Sequence, residues 1–241
     1  MSPIPHVSIN AAFRSSRHNE AYIFMNNLYV VLNYGPGSTT DKVLNGGRLL
    51  RISDGFLSLA GTPFGEHGID CAFDTDRNEA YIFSGNLCAY IDYAPGTRGD
   101  DKILKGPLSI SDIFPCLKST VFEKGIDAAF RSTKSNKAYI FRGGHYGVLN
   151  YASNTVNIDT IRNSWYSLAG TVFESGIEAA FASHVPNRAY IFKGDHYAAI
   201  NFVPGTHDGD DYMVGGDTRL ISDYWPGIGG VLARKNGIRR A

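Results

Sequence analysis

A single polar residue interrupts an apolar run at four places along the chain. The runs are Ile9-Asn10-Ala11-Ala12-Phe13, Ile69-Asp70-Cys71-Ala72-Phe73, Ile126-Asp127-Ala128-Ala129-Phe130 and Ile177-Glu178-Ala179-Ala180-Phe181. The polar position recurs after 60, 57 and 51 residues. A second apolar signal follows at Ala21 to Phe24, Ala80 to Phe83, Ala138 to Phe141 and Ala189 to Phe192. Its tyrosine lies 12, 11, 12 and 12 residues past the polar position, so each unit is held in register and varies only later. A third segment runs at Tyr29 to Tyr34, Cys88 to Tyr93, Tyr146 to Tyr151 and Tyr197 to Phe202. A fourth closes each unit at Ile52 to Phe56, Ile110 to Phe114, Ile161 to Trp165 and Ile221 to Trp225. Self-similarity on this scale marks a repeat architecture.

The first three segments are short, rich in β-branched and aromatic residues, and bounded by polar turns, the pattern of strands. Arg14 to Asn19 and Ser132 to Asn136 read as hairpin turns. Pro36-Gly37, Pro95-Gly96 and Pro204-Gly205 break the chain after the third strand, where the third repeat has Ala152-Ser153-Asn154. A variable loop and one more strand are expected next. The Ser-Asp pair before the closing aromatic predicts a helix N-cap and a short terminal helix. Four units of about four strands predict an all-β, four-bladed β-propeller. A solenoid is the other repeat architecture, but it needs atypical capping repeats, and the first and last units match as well as the inner ones. The reading is one domain over residues 1–241, with repeats near 8–61, 68–118, 125–170 and 176–230. Residues 231–241, with the basic run Arg234 to Arg240, are expected to form a solvated tail.

Composition narrows the function. Twenty-three basic and 23 acidic residues give zero formal net charge. A neutral chain with scattered basic residues is a poor match for nucleic acid, which needs a basic face. No apolar run approaches the roughly 20 residues that span a bilayer, so no membrane role is expected. Met1 to His6 lacks the pattern of a secretory signal. Three cysteines, all in the second repeat, do not form a secreted disulfide framework. The chain has no Asn-x-Ser/Thr site. Together these lead to an expectation of a reducing, cytosolic location.

These repeats resemble the hemopexin repeat, and more closely the legume seed type-two albumins. The resemblance is carried by Ile9 to Ser16, Asn19 to Tyr22, Phe122 to Ala129, Ala179 to His184 and Asp223 to Pro226, and covers roughly residues 8 to 230. It implies a single hemopexin-like propeller without enzymatic activity, in the cytosol of seed tissue. It also implies calcium, sodium and chloride in the central channel, binding of the polyamine spermine and of haem, and a homodimer that depends on the ligand. The roles implied are oxidative-stress response and regulation of polyamine synthesis. Extracellular hemopexin domains join first and last blades by a disulfide. The first and last repeats here hold no cysteine, so closure must rest on packing and strand pairing.

Physical reasoning reaches part of the same place. The first strand of a propeller blade lies innermost, and its free C=O and N–H groups face the axis and need partners. Four such edges make a ring of oxygen donors suited to a hard cation such as calcium. Asn10, Asp70, Asp127 and Glu178 stand at one level, giving three acids around a narrow opening that a metal ion or polyamine would neutralise. Small Ala12, Ala72, Ala129 and Ala180 are expected to line the channel and leave its wall open. The competing reading is that the carboxylates merely cap turns, with backbone carbonyls as the true ligands. Glu178 and Asn10 depart from the family's more usual Asp. His145 and His196 occupy equivalent positions and are candidates for an axial haem ligand, against a plainer reading as exposed loop-edge histidines. The paired aromatics, Trp165 and Trp225 read as packing between blades, and Cys71 as buried and inert. No nucleophile elbow, phosphate loop or zinc helix motif is present. The alternatives to a ligand-binding albumin are a storage protein and a protein-interaction platform.

Overall fold

The computed structural model describes residues 8–36, 40–204 and 211–235. Each repeat forms one antiparallel sheet, built outward from the axis. The first holds β1 (Ala11–Arg14), β2 (Glu20–Met25), β3 (Leu28–Tyr34), β4 (Asp41–Val43) and β5 (Leu50–Arg51). The second holds β6 (Cys71–Asp74), β7 (Glu79–Ser84), β8 (Leu87–Asp92) and β9 (Lys102–Ser109). The third holds β10 (Ala128–Arg131), β11 (Lys137–Arg142), β12 (His145–Asn150) and β13 (Thr155–Thr160). The fourth holds β14 (Ala179–Ala182), β15 (Arg188–Lys193), β16 (His196–Asn201), β17 (Tyr212–Met213) and β18 (Arg219–Leu220). In blades one and four the outer strand is split in two, and both halves pair with the third strand. β1 packs against β6 and β14, and β10 against the same two, so the inner strands close a ring. This is the four-bladed propeller the repeats predict. Met1 to His6, Gly37 and Gly205 lie outside the described residues.

The core consists of four clusters, one at each seam between blades. Inner-strand side chains alternate between the two faces of a blade. Ala11 therefore packs at the seam of blades one and two, and Ala12 at the seam of blades four and one. The expected role of Ala12, Ala72, Ala129 and Ala180 is corrected here. Each is 1% exposed and lies in a seam cluster, so its methyl group does not leave an open wall. The small side chain instead lets sheets converge where blades come closest. Phe13, Phe73, Phe130 and Phe181 are fully buried at the next position along each inner strand, and Trp165 and Trp225 close their seams as packing residues. Burial pushes the Cys71 thiol well above its ordinary range.

The terminal helices start at Ile52, Ile110, Ile161 and Ile221, two residues earlier than a cap at the serine of each Ser-Asp pair would place them. Ser53, Ser111 and Ser222 thus lie inside the helices rather than capping them. Ser109 and Thr160 cap theirs through Asp112 N–H and Asn163 N–H, while Arg51 and Leu220 make no side-chain cap.

A different set of caps crosses the seams. Asp101 of blade two accepts the N–H groups of Leu57 and Ser58 of blade one at 2.9 and 3.0 Å. Asn154 of blade three accepts Cys116 N–H of blade two at 3.2 Å. Asp211 of blade four accepts Ser167 N–H of blade three at 3.1 Å. Asp41 of blade one completes the circle, accepting Gly227 N–H and Ile228 N–H at 2.8 and 2.9 Å. Those two donors open the C-terminal helix, Pro226–Lys235, which packs on β4. Ile228 and Val231 are 0% and 1% exposed, inside the cluster of blades one and four. Val231 and Leu232 are therefore part of the closing device and not of a solvated tail, while Arg234 and Lys235 are exposed at the helix end; Asn236 to Arg240 lie outside the described residues. The same seam is tied by Tyr34, whose hydroxyl lies 2.7 Å from His184 Nδ1 and accepts His184 N–H at 3.1 Å. His184 Nε2 lies 3.1 Å from Ser15 O.

Removing one cap of this kind costs about 0.5–2 kcal/mol. Asp41→Ala should lower the melting temperature by a few degrees and should raise amide exchange first in residues 226–235. Exchange there no faster than in the wild type would refute the closing role. His184 is held neutral, its pKa lowered to about 4 by burial, with Arg14 and His18 adding to the shift. Unfolding lets it charge, so the unfolded chain binds the extra proton and stability falls as pH drops from 6.5 toward 4. His184→Gln should flatten that part of the stability curve, measured by thermal unfolding across this pH range.

Candidate functional site

The four polar positions meet. Asn10, Asp70, Asp127 and Glu178 line one cavity of about 350 Å3 at an end of the inner strands. Each precedes the first residue of its inner strand, and each donates its own N–H to Phe24, Phe83, Phe141 or Phe192 O at 2.8–2.9 Å. Each side chain also clamps the turn joining the second and third strands of its blade. Asn10 Oδ1 accepts Asn26 N–H at 2.6 Å, and Asp70 Oδ2 accepts Gly85 N–H at 2.6 Å. Asp127 Oδ2 accepts Gly143 N–H at 2.8 Å, and Glu178 Oε2 accepts Gly194 N–H at 2.9 Å. The donors are left-handed, with φ of 55°, 56°, 51° and 58°, a conformation that favours Gly and Asn at the first turn position. The turn-capping role therefore exists alongside the acidic ring. Among the described residues the second oxygen of Asp70, Asp127 and Glu178 accepts no hydrogen bond.

Lys124 and Arg142 share the same cavity, and Arg142 Nη1 donates to Gly125 O at 2.7 Å. Among the described residues no three His, Cys, Asp or Glu side chains are grouped to hold a metal ion. The acidic ring therefore does not fit a chelating cage made of side chains.

The main chain leaves a second set of polar groups without strand partners. Ser15 N–H bonds Glu20 O, Thr75 N–H bonds Glu79 O, Ser132 N–H bonds Lys137 O, and Ser183 N–H bonds Arg188 O. With the strand registers, alternate inner-strand residues face the second strand and the rest face away from it. Ala12, Ala72, Ala129 and Ala180 are in the second group. They turn C=O and N–H toward the axis while their methyls pack in the seams. A ring of carbonyls of this kind suits calcium or sodium.

The far end of the inner strands carries paired charges of both signs. Arg14 Nη2 lies 2.9 Å from Asp74 Oδ2, and Arg131 Nη1 lies 3.7 Å from the same oxygen. The guanidiniums also donate to Ser183 O at 3.0 Å and Thr75 O at 2.8 Å. The Asp74 side chain is 4% exposed, and its Oδ1 is buried without a partner. Burial pushes its carboxyl up against the pull of Arg14 and Arg131. Ala182 stands at the fourth position, beside a small cavity of about 30 Å3 that Arg14 and Arg131 also line. Arg131 is also paired with Asp76, and Arg188 lines the cavity beside Arg14 and Arg131, so three guanidiniums stand against two neighbouring acids, a balance that suits an anion. Sequence reasoning missed this cluster, whose signal is the residue after each inner-strand Phe: Arg14, Asp74, Arg131 and Ala182.

His145 and His196 begin the third strands of blades three and four. Neither lines the acidic cavity. His145 is exposed, and His196 Nδ1 lies 2.6 Å from Asp195 Oδ1.

Comparison with known proteins agrees with this architecture. The hemopexin family model matches residues 177–230. The chain is 50% identical to albumin-2 of Pisum sativum over 231 residues, 95% of this chain and 97% of that protein. It is 52% identical to the hemopexin-fold protein CP4 from cow pea, covering 92% of this chain and 97% of that one, with a TM-score of 0.87. It is also 52% identical to a Cicer arietinum protein described as a plant lectin with two metal-binding sites, over 93% of this chain and 98% of that one, again with a TM-score of 0.87.

The clamp and the charge of the acidic ring separate by substitution. Asp127→Asn keeps an acceptor for Gly143 N–H and should change stability by less than about 0.5 kcal/mol. Asp127→Ala loses the acceptor and should cost about 0.5–2 kcal/mol. Calorimetric unfolding of the two variants measures the difference.

Proposed function

Since the chain belongs to the albumin-2 family of hemopexin-fold legume seed proteins, we propose that it is a non-enzymatic albumin whose axial channel binds ions and whose acidic mouth takes a polyamine. One observation carries the reading: three carboxylates surround the cavity above four inward-facing main-chain positions. The carbonyls of Ala12, Ala72, Ala129 and Ala180 hold a calcium or sodium ion, with the acids lending charge from outside the coordination sphere. Arg14 and Arg131 attract chloride toward the opposite end. The two metal-binding sites named for the Cicer arietinum relative support this assignment.

Spermine is a flexible polycation, and its ammonium groups match the free oxygens of Asp70, Asp127 and Glu178. Lys124 and Arg142 sit in the same cavity and limit its affinity. Haem binding, ligand-dependent dimerisation, a cytosolic setting and a role in oxidative stress or polyamine regulation extend the reading along the family resemblance. His145 or His196 would be the candidate axial ligand.

Calcium and spermine titrations by calorimetry test this. Chelator-treated protein should take up calcium saturably and bind spermine in a salt-sensitive manner. Exposed charge contacts contribute about 0.2–1 kcal/mol each. The triple variant Asp70→Asn, Asp127→Asn, Glu178→Gln should therefore bind spermine roughly tenfold more weakly. It should keep calcium if main-chain carbonyls are the ligands. No calcium uptake, with spermine binding equal in both proteins, would overturn the proposal.

A further inference from the structure

The seam of blades one and two contains a cavity of about 460 Å3, within the range of small-molecule sites. Tyr22, Tyr29, Phe56 and Tyr93 floor it, and their rings pack with centroids 5.0–6.2 Å apart. Arg17, Arg48 and Arg98 line it as well. The seam of blades four and one is built from matching positions. Strand pairing equates Tyr29 with Tyr197 and Leu50 with Arg219. Repeat alignment equates Gly55 with Tyr224 and Phe56 with Trp225. Yet the cavity there is only about 150 Å3. Arg219 fills it, its guanidinium stacked 4.6 Å from the Tyr224 ring centre.

Three substitutions therefore open the first seam: a leucine for the stacked arginine, a glycine for its tyrosine partner, and a phenylalanine for the indole. A Cβ at Gly55 would sit 1.9 Å from Tyr29 Oη, so the Tyr29 ring tip lies where a side chain at this position would begin. The space is larger here than at the seam of blades four and one, and its lining differs in sign from the channel mouth. Glu20 is its single acid, and it lies 3.6 Å from Arg17. Among the described residues neither Arg48 nor Arg98 has a carboxylate partner.

We propose that this cavity binds a small aromatic carboxylate, its ring on the tyrosine floor and its carboxylate answered by Arg48 and Arg98. Offset and edge-on ring contacts favour a flat aromatic guest. Guanidinium forks favour a carboxylate over a neutral group. Three arginines against Glu20 on the lining disfavour a polyamine, so the two ligand classes separate to different parts of the molecule.

Isothermal titration of the full chain with 4-hydroxycinnamate, and with its neutral amide, tests the proposal. The acid should bind saturably at one site, at least roughly tenfold more tightly than the amide, since a hydrogen bond to a charged group is the stronger one. The double variant Arg48→Gln, Arg98→Gln should lose about tenfold or more for the acid and little for the amide. Leu44→Trp, which places an indole in the cavity, should abolish binding of both while spermine binding persists. Equal affinity for acid and amide, acid binding unchanged in the double arginine variant, or no saturable binding of the acid would overturn it.

Discussion

Four sheet edges face one another across the axis, and no further strand can pair with any of them. β1, β6, β10 and β14 each use one edge for their own blade, leaving alternate C=O and N–H groups directed inward. A buried main-chain group without a partner costs as much as a lost hydrogen bond, so the centre must be filled by ions, water or polar side chains. The rest of the molecule follows from bringing these edges close enough together. Side chains flanking the axis have to be small, and Ala11 with Ala12, Ala128 with Ala129 and Ala179 with Ala180 meet that need on both faces of their strands. Phe13, Phe73, Phe130 and Phe181 follow on the same strands and are buried in the seams.

Closing the ring is a separate problem, because nothing covalent joins the ends. The solution repeats at every seam: an acid or amide at the start of an outer strand receives the N–H groups of the preceding blade's closing turn. Asp41 does this across the chain ends, where it holds a helix that is otherwise weakly disposed to form. Gly227, Gly229 and Gly230 all lie within that helix, and glycine costs nearly 1 kcal/mol per position in a helix interior. Burial of Ile228 and Val231 and the two hydrogen bonds to Asp41 offset that preference. Charge then distinguishes the two ends of the channel. Asp70, Asp127 and Glu178 stand at one, beside Lys124 and Arg142, and the Arg14–Asp74–Arg131–Asp76 cluster stands at the other.

Sameness is what a single sequence reveals best, and the blades, their inner three strands and the convergence of Asn10, Asp70, Asp127 and Glu178 were legible for that reason. Features in which equivalent positions differ were not. Arg14, Asp74, Arg131 and Ala182 share a position but no chemistry, so a search for repetition passes over them. Asp41, Asp101, Asn154 and Asp211 follow connections of unequal length, which hides their equivalence. The C-terminal helix was unreadable because its glycines argue against a helix and its partner lies nearly 190 residues away in sequence. The alanines were placed correctly in sequence but given the wrong role. Their backbone faces the axis, while register sends each side chain into a seam.

The most direct measurement is electron density along the propeller axis from crystals grown with calcium, with anomalous scattering used to identify it. The account predicts a calcium peak on the axis, ligated by the carbonyl oxygens of Ala12, Ala72, Ala129 and Ala180, with Asp70, Asp127 and Glu178 outside its coordination sphere. An axis free of bound ions, or a calcium held by the carboxylates with those carbonyls turned away, would contradict it.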